Sequence, residues 1–236
     1  MKYQKIHKAS FISRPNRFIA ECLLDGEMVV VHVKNTGRCR ELLLPGATVY
    51  LDEPVGKQRR TKYDLVAVEK QLSSGKSLLI NMDSSAPNDA AEELLRSGRL
   101  YSGSTKIRRE VTVGDSRFDF CIEDKNGITY LEVKGVTLEN GGIVSFPDAP
   151  TERGVKHIDE LISLRSSGFG AAILFVIQMK GVSEFRPNEQ THPAFAHALR
   201  RAEESGVAIY AYDCTVTPDS MVIDAPVKIK LKGSEK

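Results

Sequence analysis

The sequence carries little net charge. Its 33 Lys and Arg residues nearly offset 31 Asp and Glu residues, leaving +2 over 236 residues. No strong basic field marks a polyanionic partner, so any such binding must come from local patches. No apolar run is long enough to span a membrane. The opening MKYQKIHKASF lacks the apolar core of a signal peptide. Four cysteines, Cys22, Cys39, Cys121 and Cys214, show no CxxC spacing, which argues against a zinc site and against a disulfide framework. None of the five histidines falls in an HExxH pattern, and His192 and His197 fit a surface helix better than a metal pair. There is no repeat and no low-complexity linker. These absences point to an ordinary globular protein in a reducing, cytoplasmic setting, with one large domain or two small ones.

What is present divides near NMDSSAPNDAAEELL. Before it, the pattern is strands and turns. RFIAECLLDGEMVVVHVKN reads as two strands about Asp25-Gly26, a strong hairpin signal. LLLPGATVYLDEP is a Pro-Gly turn entering a strand, and YDLVAVEKQ and SLLINM add more. Several short strands at this spacing predict a small β-barrel or sandwich. After the divide the texture is α/β. NDAAEELLRSG reads as a helix with Asn88 as its cap and Gly98 at its end. Three strands follow, KIRREVTV, SRFDFCIE and ITYLEVKGVTL. TERGVKHIDELISLRSSG is an amphipathic helix with Val155, Ile158, Leu161 and Ile162 on its inner face. GAAILFVIQ is unbroken and apolar, as expected of a strand covered on both faces. HPAFAHALRRAEESG and VAIYAYDCTV complete the order α-βββ-α-β-α-β. Basic patches occur at 56–62, 106–109 and 228–236, each equally readable as a solvated loop or a frayed end.

Three charges fall inside the strands of the predicted hairpin SRFDFCIEDKNGITYLEVKG: Asp119, Glu132 and Lys134. With Asn126-Gly127 as a two-residue loop, Asp119 lies opposite Lys134. A four-residue loop sets Asp119 opposite Glu132 instead. Either register puts all three on one face, because opposed residues project to the same side; a three-residue loop would need a bulge to do so. Gly114-Asp115 as the preceding turn sets Glu110 opposite Asp119. Carboxylates about 7–8 Å apart across neighbouring strands can close on one divalent cation. The plain alternative is a solvent-facing stripe of complementary charge, but the same face carries Tyr130 and Val136, which predicts partial burial.

This element order, with Asp in the second strand and Glu-x-Lys in the third, resembles the PD-(D/E)XK nuclease superfamily. The proline of that motif is Phe118 here, and Pro147-Asp148 stands in the wrong order to replace it. The strings FISRPNRFIAE, VHVKNTGRCRELLLPGATVYL, SRFDF, YLEVKGVTL, FPDAPTERGVKHIDEL and FVIQ together resemble the sugar fermentation stimulation protein A family, from about Phe11 to Cys214. The resemblance implies an OB-like β-barrel over 1–84 and a PD-(D/E)XK-type mixed sheet flanked by helices over 85–236, so an α/β chain overall. It also implies DNA binding without sequence preference and a regulatory role in maltose metabolism. The residues themselves carry nothing of that last part.

The chemistry such a site would allow is phosphodiester cleavage, with a metal polarising the phosphate and generating hydroxide. Oxygen ligands suit Mg²⁺ or Mn²⁺. Asp119 and Glu132 are the expected ligands with the Val133 carbonyl, Glu110 a further one by register, and Glu93 the helix carboxylate, with Glu92 as its rival. Lys134 would orient or activate water. Gln178, ending the buried strand, either points into this site or caps the strand. Arg153, Lys156 and His157 would hold phosphate near a helix N-terminus, and Arg14, Arg17, Lys34 and Arg38 would do so on the barrel. Phe11, Phe18 and Tyr50 are available for stacking but read better as barrel core. Two functions remain open, a metal-dependent nuclease and a catalytically silent DNA-binding regulator; an RNA-binding module also fits the barrel.

Overall fold

A computed structural model describes residues 1–35, 37–55, 59–101 and 106–232. Parts of two basic patches, 56–58 and 233–236, lie outside them. Six strands come first: β1 (Ile6–Asn16), β2 (Ile19–Leu24), β3 (Glu27–Val33), β4 (Thr48–Asp52), β5 (Tyr63–Gln71) and β6 (Ser77–Asn81). They lie in the order β3-β2-β1-β4-β5-β6, and a further β3–β5 pairing closes five of them into an OB-like barrel. The β2–β3 turn forms where expected, with Leu24 opposite Glu27. Asp25 and Gly26 both take positive φ, 51° and 86°, as a two-residue hairpin turn of matching twist requires. The longest strand, β1, pairs with β4 along its first half and with β2 along its second, with register shifts between Phe11 and Asn16. These shifts bend it round the barrel. Phe11 fills the core, whereas Phe18 is 47% exposed; the expectation of core packing fails for Phe18, which sits in the turn after β1.

Helix α1 (Ala86–Arg96) follows, then β7 (Lys106–Val113), β8 (Ser116–Asp124) and β9 (Gly127–Val136). Next come the short β10 (Leu138–Asn140) and β11 (Ile143–Phe146), α2 (Glu152–Ser166), β12 (Gly170–Ile177) and β13 (Glu184–Pro187). The chain ends with α3 (Pro193–Glu204), β14 (Ala208–Thr217), β15 (Ser220–Pro226) and β16 (Lys228–Ile229). A mixed sheet runs β15-β14-β12-β9-β8-β7, and a second small sheet runs β10-β11-β13-β16. The small sheet is an addition to the expected order. It takes up part of the basic tail, where Leu231 is buried. The helix caps also differ: α1 begins at Ala86 after Ser85, and Asn88 lies inside it, while Gly98 follows its end with φ 74°. The expected inner face of α2 is extended by His157, buried beside Ile158 and Leu161.

Two apolar clusters sandwich the mixed sheet. One joins the barrel core to the α2 and α3 face through Phe118, Tyr130, Phe175 and Phe195. The other packs α1 on the opposite face, through Phe120, Ile122, Leu131 and Val133. Barrel and sheet meet at a buried polar joint. The Gln178 backbone N–H donates to the Val136 carbonyl and its own carbonyl accepts from Asn81 N–H, both at 2.9 Å. Its side-chain amide donates to the Asn81 carbonyl, Asn81 Oδ1 and the Asp83 carbonyl. Gln178 is therefore the strand-end cap of the two readings, and it stitches the barrel's last strand to β12. The four cysteines are free and buried. Among the described residues no helix is long and apolar enough to cross a membrane.

Candidate active site and nucleic-acid interface

The β8–β9 register decides which charges meet. Asp124 pairs with Gly127 and Phe120 with Leu131, so Lys125 and Asn126 form the loop and every partner moves by two from the Asn126-Gly127 register. A shift of two keeps each side chain on its face. The β7–β8 pairing follows the expected Gly114-Asp115 turn, from Val113 opposite Ser116 to Lys106 opposite Glu123.

That ladder omits one pair, Glu110 with Asp119, and Glu110 takes φ 52°. The inside–outside alternation changes phase there. Phe120, Ile122 and Ile107 pack on the α1 side, whereas Phe118, Val111 and Val113 pack on the α2 side. Glu110 is turned away by this switch: its side chain is 61% exposed and lies 3.7 Å from Arg117. It is not brought to the site.

Asp119 is turned inward. Its Oδ2 accepts from the Val133 backbone N–H at 2.7 Å, and its Oδ1 from Asn88 Nδ2 at 2.8 Å. The carboxylate thus takes the place of a strand partner just beyond the last β8–β9 pair. On β9, Glu132 Oε1 accepts from Lys134 Nζ and from His157 Nδ1, each at 2.5 Å. Glu132 Oε2 is buried and has no hydrogen-bond partner among the described residues. Burial and the neighbouring Glu132 charge push the Asp119 carboxyl above its ordinary range, against its two donors and Lys134. Burial alone would do the same to Glu132; its hydrogen bonds from His157 and Lys134 outweigh that and hold it below the ordinary range. The two carboxyls are therefore shifted in opposite directions, Asp119 by burial and the Glu132 charge and Glu132 by its two donors.

The helix carboxylates lie elsewhere. Glu93 Oε2 is 2.6 Å from the N-terminal ammonium and 55% exposed. Glu92 is engaged by Arg96 and Arg109. The reason is the phase of α1: its buried stripe is Ala86, Pro87, Ala90, Ala91, Leu94 and Leu95, and the side chain it offers to the site is Asn88 in its first turn. Asn88 thus serves the site from inside the helix and is not its cap.

A cation would find two carboxylates here, one with a buried oxygen that lacks a partner. No group of three or more His, Cys, Asp or Glu side chains gathers among the described residues. Two carboxylates make a sparse oxygen set of the kind that suits Mg²⁺, which dehydrates reluctantly and is usually held by one or two carboxylates. The residues fit such an ion.

The basic residues divide into those already engaged and those left free. Arg14 donates to the carbonyls of Gly37, Arg38, Arg17 and Asn35 at 2.7–3.0 Å, so its fork holds loops together. Lys34 is 2.5 Å from the buried Asp83. His157 is buried under Glu132. None of the three is free to meet a phosphate. Arg17 lies over the exposed Phe18 ring at 5.6 Å. Arg17 and Arg38, with Arg40, Arg14 and Ala149, line a cleft of about 510 Å³. The Asp148 carboxylate lies against Gly37 at its edge. Arg40 was missed in the sequence, where the available signal was an arginine on each side of the apolar Cys39. Ala149 places the cleft beside the segment leading into α2, where Thr151 Oγ1 accepts from Gly154 N–H as the helix cap. On that helix Lys156 is 55% exposed, 3.6 Å from Glu160 and with its Nζ donating to the Asp115 carbonyl at 3.5 Å. Arg153 is exposed as well, with its Nε donating to His157 Nε2 at 3.3 Å.

Comparison with known proteins agrees with this architecture along the whole chain. Residues 85–220 match the model of the sugar fermentation stimulation protein RE domain, and residues 12–80 that of the SfsA N-terminal OB domain. A sugar fermentation stimulation protein homolog of Desulfitobacterium hafniense is 49% identical over 231 residues, covering 98% of this chain and 99% of the relative. One of Clostridium beijerinckii is 50% identical over 223 residues, covering 94% and 96%. The solved structure of Pyrococcus furiosus SfsA in complex with Ca²⁺ superposes with a TM-score of 0.86 at 28% identity, over 98% of both chains.

Proposed function

The chain belongs to the sugar fermentation stimulation protein family, and on that premise we propose that it binds DNA through the phosphate backbone and hydrolyses phosphodiester bonds at Asp119, Glu132 and Lys134 with Mg²⁺ or Mn²⁺. The observation that carries this reading is Glu132 Oε2, a buried carboxylate oxygen without a partner, near the half-buried carboxylate of Asp119. An orphaned buried acceptor costs about 1–3 kcal/mol or more when charged, a cost that a cation removes. When bound, the ion supplies Lewis acidity toward the phosphate and lowers the pKa of a coordinated water.

The chain's own residues do the rest. Asp119 is held by Val133 N–H and Asn88, so it meets a ligand without reorganising. Lys134, 17% exposed and anchored on Glu132, holds a positive charge where an approaching phosphate would be neutralised. From there it can orient a water in line with the scissile bond. The barrel domain, 1–84, would bring the backbone in along Arg17, Arg38 and Arg40, and the domain over 85–236 would receive it at Lys156 and Arg153. This is positioning without base readout, so affinity falls steeply with salt and hardly varies with sequence.

Purified protein is incubated with Mn²⁺ and duplex, single-stranded, flapped and RNA substrates, beside Lys134→Ala prepared identically. Cleavage by the wild type alone supports the reading. Equal cleavage by both, or a strong preference for one operator-like sequence in salt titrations, refutes it. The sparse donor set favours one second reading, a catalytically silent DNA-binding regulator linked to sugar metabolism. Metal binding without cleavage on any substrate would select it.

A further inference from the structure

We propose that His157 is a positioning residue that aims Glu132 at the cation: its Nδ1–H fixes one carboxylate oxygen and so turns the other into the site. This rests on the metal-binding part of the function proposed above, and it removes His157 from the phosphate contacts.

Histidine on the apolar face of a helix is usually a satisfied core residue. Here its two partners are of a particular kind. Nε2 receives Arg153 Nε, and an arginine can only donate. The proton of a neutral imidazole is therefore on Nδ1, and Nδ1 faces Glu132 Oε1. Arg153 sets the tautomer, and the tautomer sets the donor. The ring cannot turn away, since it is 5% exposed and leans on Phe118 with centroids 6.2 Å apart.

The effect on Glu132 follows from its torsions. The terminal torsion of a glutamate is broad and nearly two-fold, so a single flexible partner such as Lys134 would not fix it. Lys134 and His157 both converge on Oε1. With one oxygen taken from two directions, the carboxylate plane is set and Oε2 is left over, buried and without a partner among the described residues. A carboxylate serving only as an ion-pair partner would share the donors between its two oxygens. Outer partners that orient metal ligands in this way typically change affinity 10–100-fold when removed.

The test is Mn²⁺ binding measured by calorimetry on the full chain, so that it does not depend on turnover. The variants are His157→Leu, which removes the donor, and His157→Asn, whose amide nitrogen can reach the Nδ1 position. Glu132→Gln serves as the reference. His157→Leu is expected to weaken Mn²⁺ about 10–100-fold, and His157→Asn to restore it to within about threefold of wild type. A merely structural role would lower the metal-free melting temperature of both variants without separating their Mn²⁺ affinities, and that result overturns the inference. If His157→Leu does not fold, His157→Gln replaces it, with its amide displaced toward the Nε2 position; wild-type affinity in that variant also overturns it. Loss of binding in Glu132→Gln with full binding in His157→Leu sinks the role of His157 and leaves the metal site standing. No Mn²⁺ binding by wild type sinks both.

Discussion

Asp83, at the joint between barrel and mixed sheet, and Glu132, in the middle of β9, are exposed by 1% and 4%. Asp83 is saturated. Its Oδ1 accepts from the Ser85 N–H and hydroxyl, and its Oδ2 from Tyr3 and Lys34. Glu139, which takes Lys70 on Oε2 and Gly142 N–H on Oε1, is similar. Glu132 crowds two donors onto one oxygen and leaves the other bare. Glu160 also has a buried oxygen without a partner, although its side chain as a whole is 26% exposed. Burial alone therefore does not separate a structural carboxylate from a functional one. The uneven distribution of donors over the oxygens of Glu132 is what the proposed role rests on, because a buried charge that only supports the fold needs partners on both oxygens.

The sharpest way to break this contrast is to unpair each carboxylate. Lys34→Met leaves Asp83 buried without its cation. It should cost about 2–4 kcal/mol in urea unfolding, toward the lower part of the range for a broken buried pair because Lys34 is partly exposed. The stabilisation by Mn²⁺ should stay at its wild-type size. Gly135→Ala comes next. A Cβ there would meet Gln178 Oε1 and come within 2.8 Å of Pro87 Cγ, so overpacking of about 1–3 kcal/mol is expected by the same measurement. Glu132→Gln should cost less, about 1–2 kcal/mol for weakened charge-assisted hydrogen bonds, yet remove the Mn²⁺-dependent rise in melting temperature. An unchanged rise would place the cation elsewhere.

Acidity gives a smaller effect with a defined sign. Protons and cation compete for Asp119, and the folded protein holds that carboxyl above its ordinary range. The difference in melting temperature with and without Mn²⁺ should therefore shrink as pH falls, beginning above the pH at which an ordinary aspartate protonates. A difference that stays flat down to that pH would count against Asp119 as a ligand. The smallest effect concerns the arginine cleft. Arg38→Ala should reduce the salt dependence of DNA binding by about one unit of slope with little change in sequence preference. Arg14→Ala should instead lower stability, because its donors hold four carbonyls.

Most of the site was legible through parity. The two-residue loop of the β8–β9 hairpin was misplaced by one position, the strands taking the alternative register that heads Asp119 toward Glu132, with each partner moved by two, and Glu132 and Lys134 kept their shared face. The β7–β8 register was legible because Gly114-Asp115 makes a tight turn. The phase change at Glu110 and Asp119 was not, since FDFCIE is apolar on both sides of the aspartate and shows no break in pattern. The small sheet escaped because its strands of two to four residues are too short to show a period of two. β1 escaped because its bulges interrupt the alternation. His157 was misjudged for a different reason: its partner is twenty-five positions away in sequence, and local pattern cannot distinguish a surface histidine from one that finds a buried carboxylate across the core.

Phe118 and Phe120 enter different cores, one on each side of the mixed sheet. Their aspartate neighbour is therefore anchored like a rivet through a plate, with a buried ring on either side. A free aspartate gives up backbone and side-chain freedom each time it closes on a ligand. In this protein that freedom is already gone when the chain folds, and the burial of two phenylalanines has compensated for its loss. What remains to be spent when something arrives at Asp119 is little more than the water it displaces.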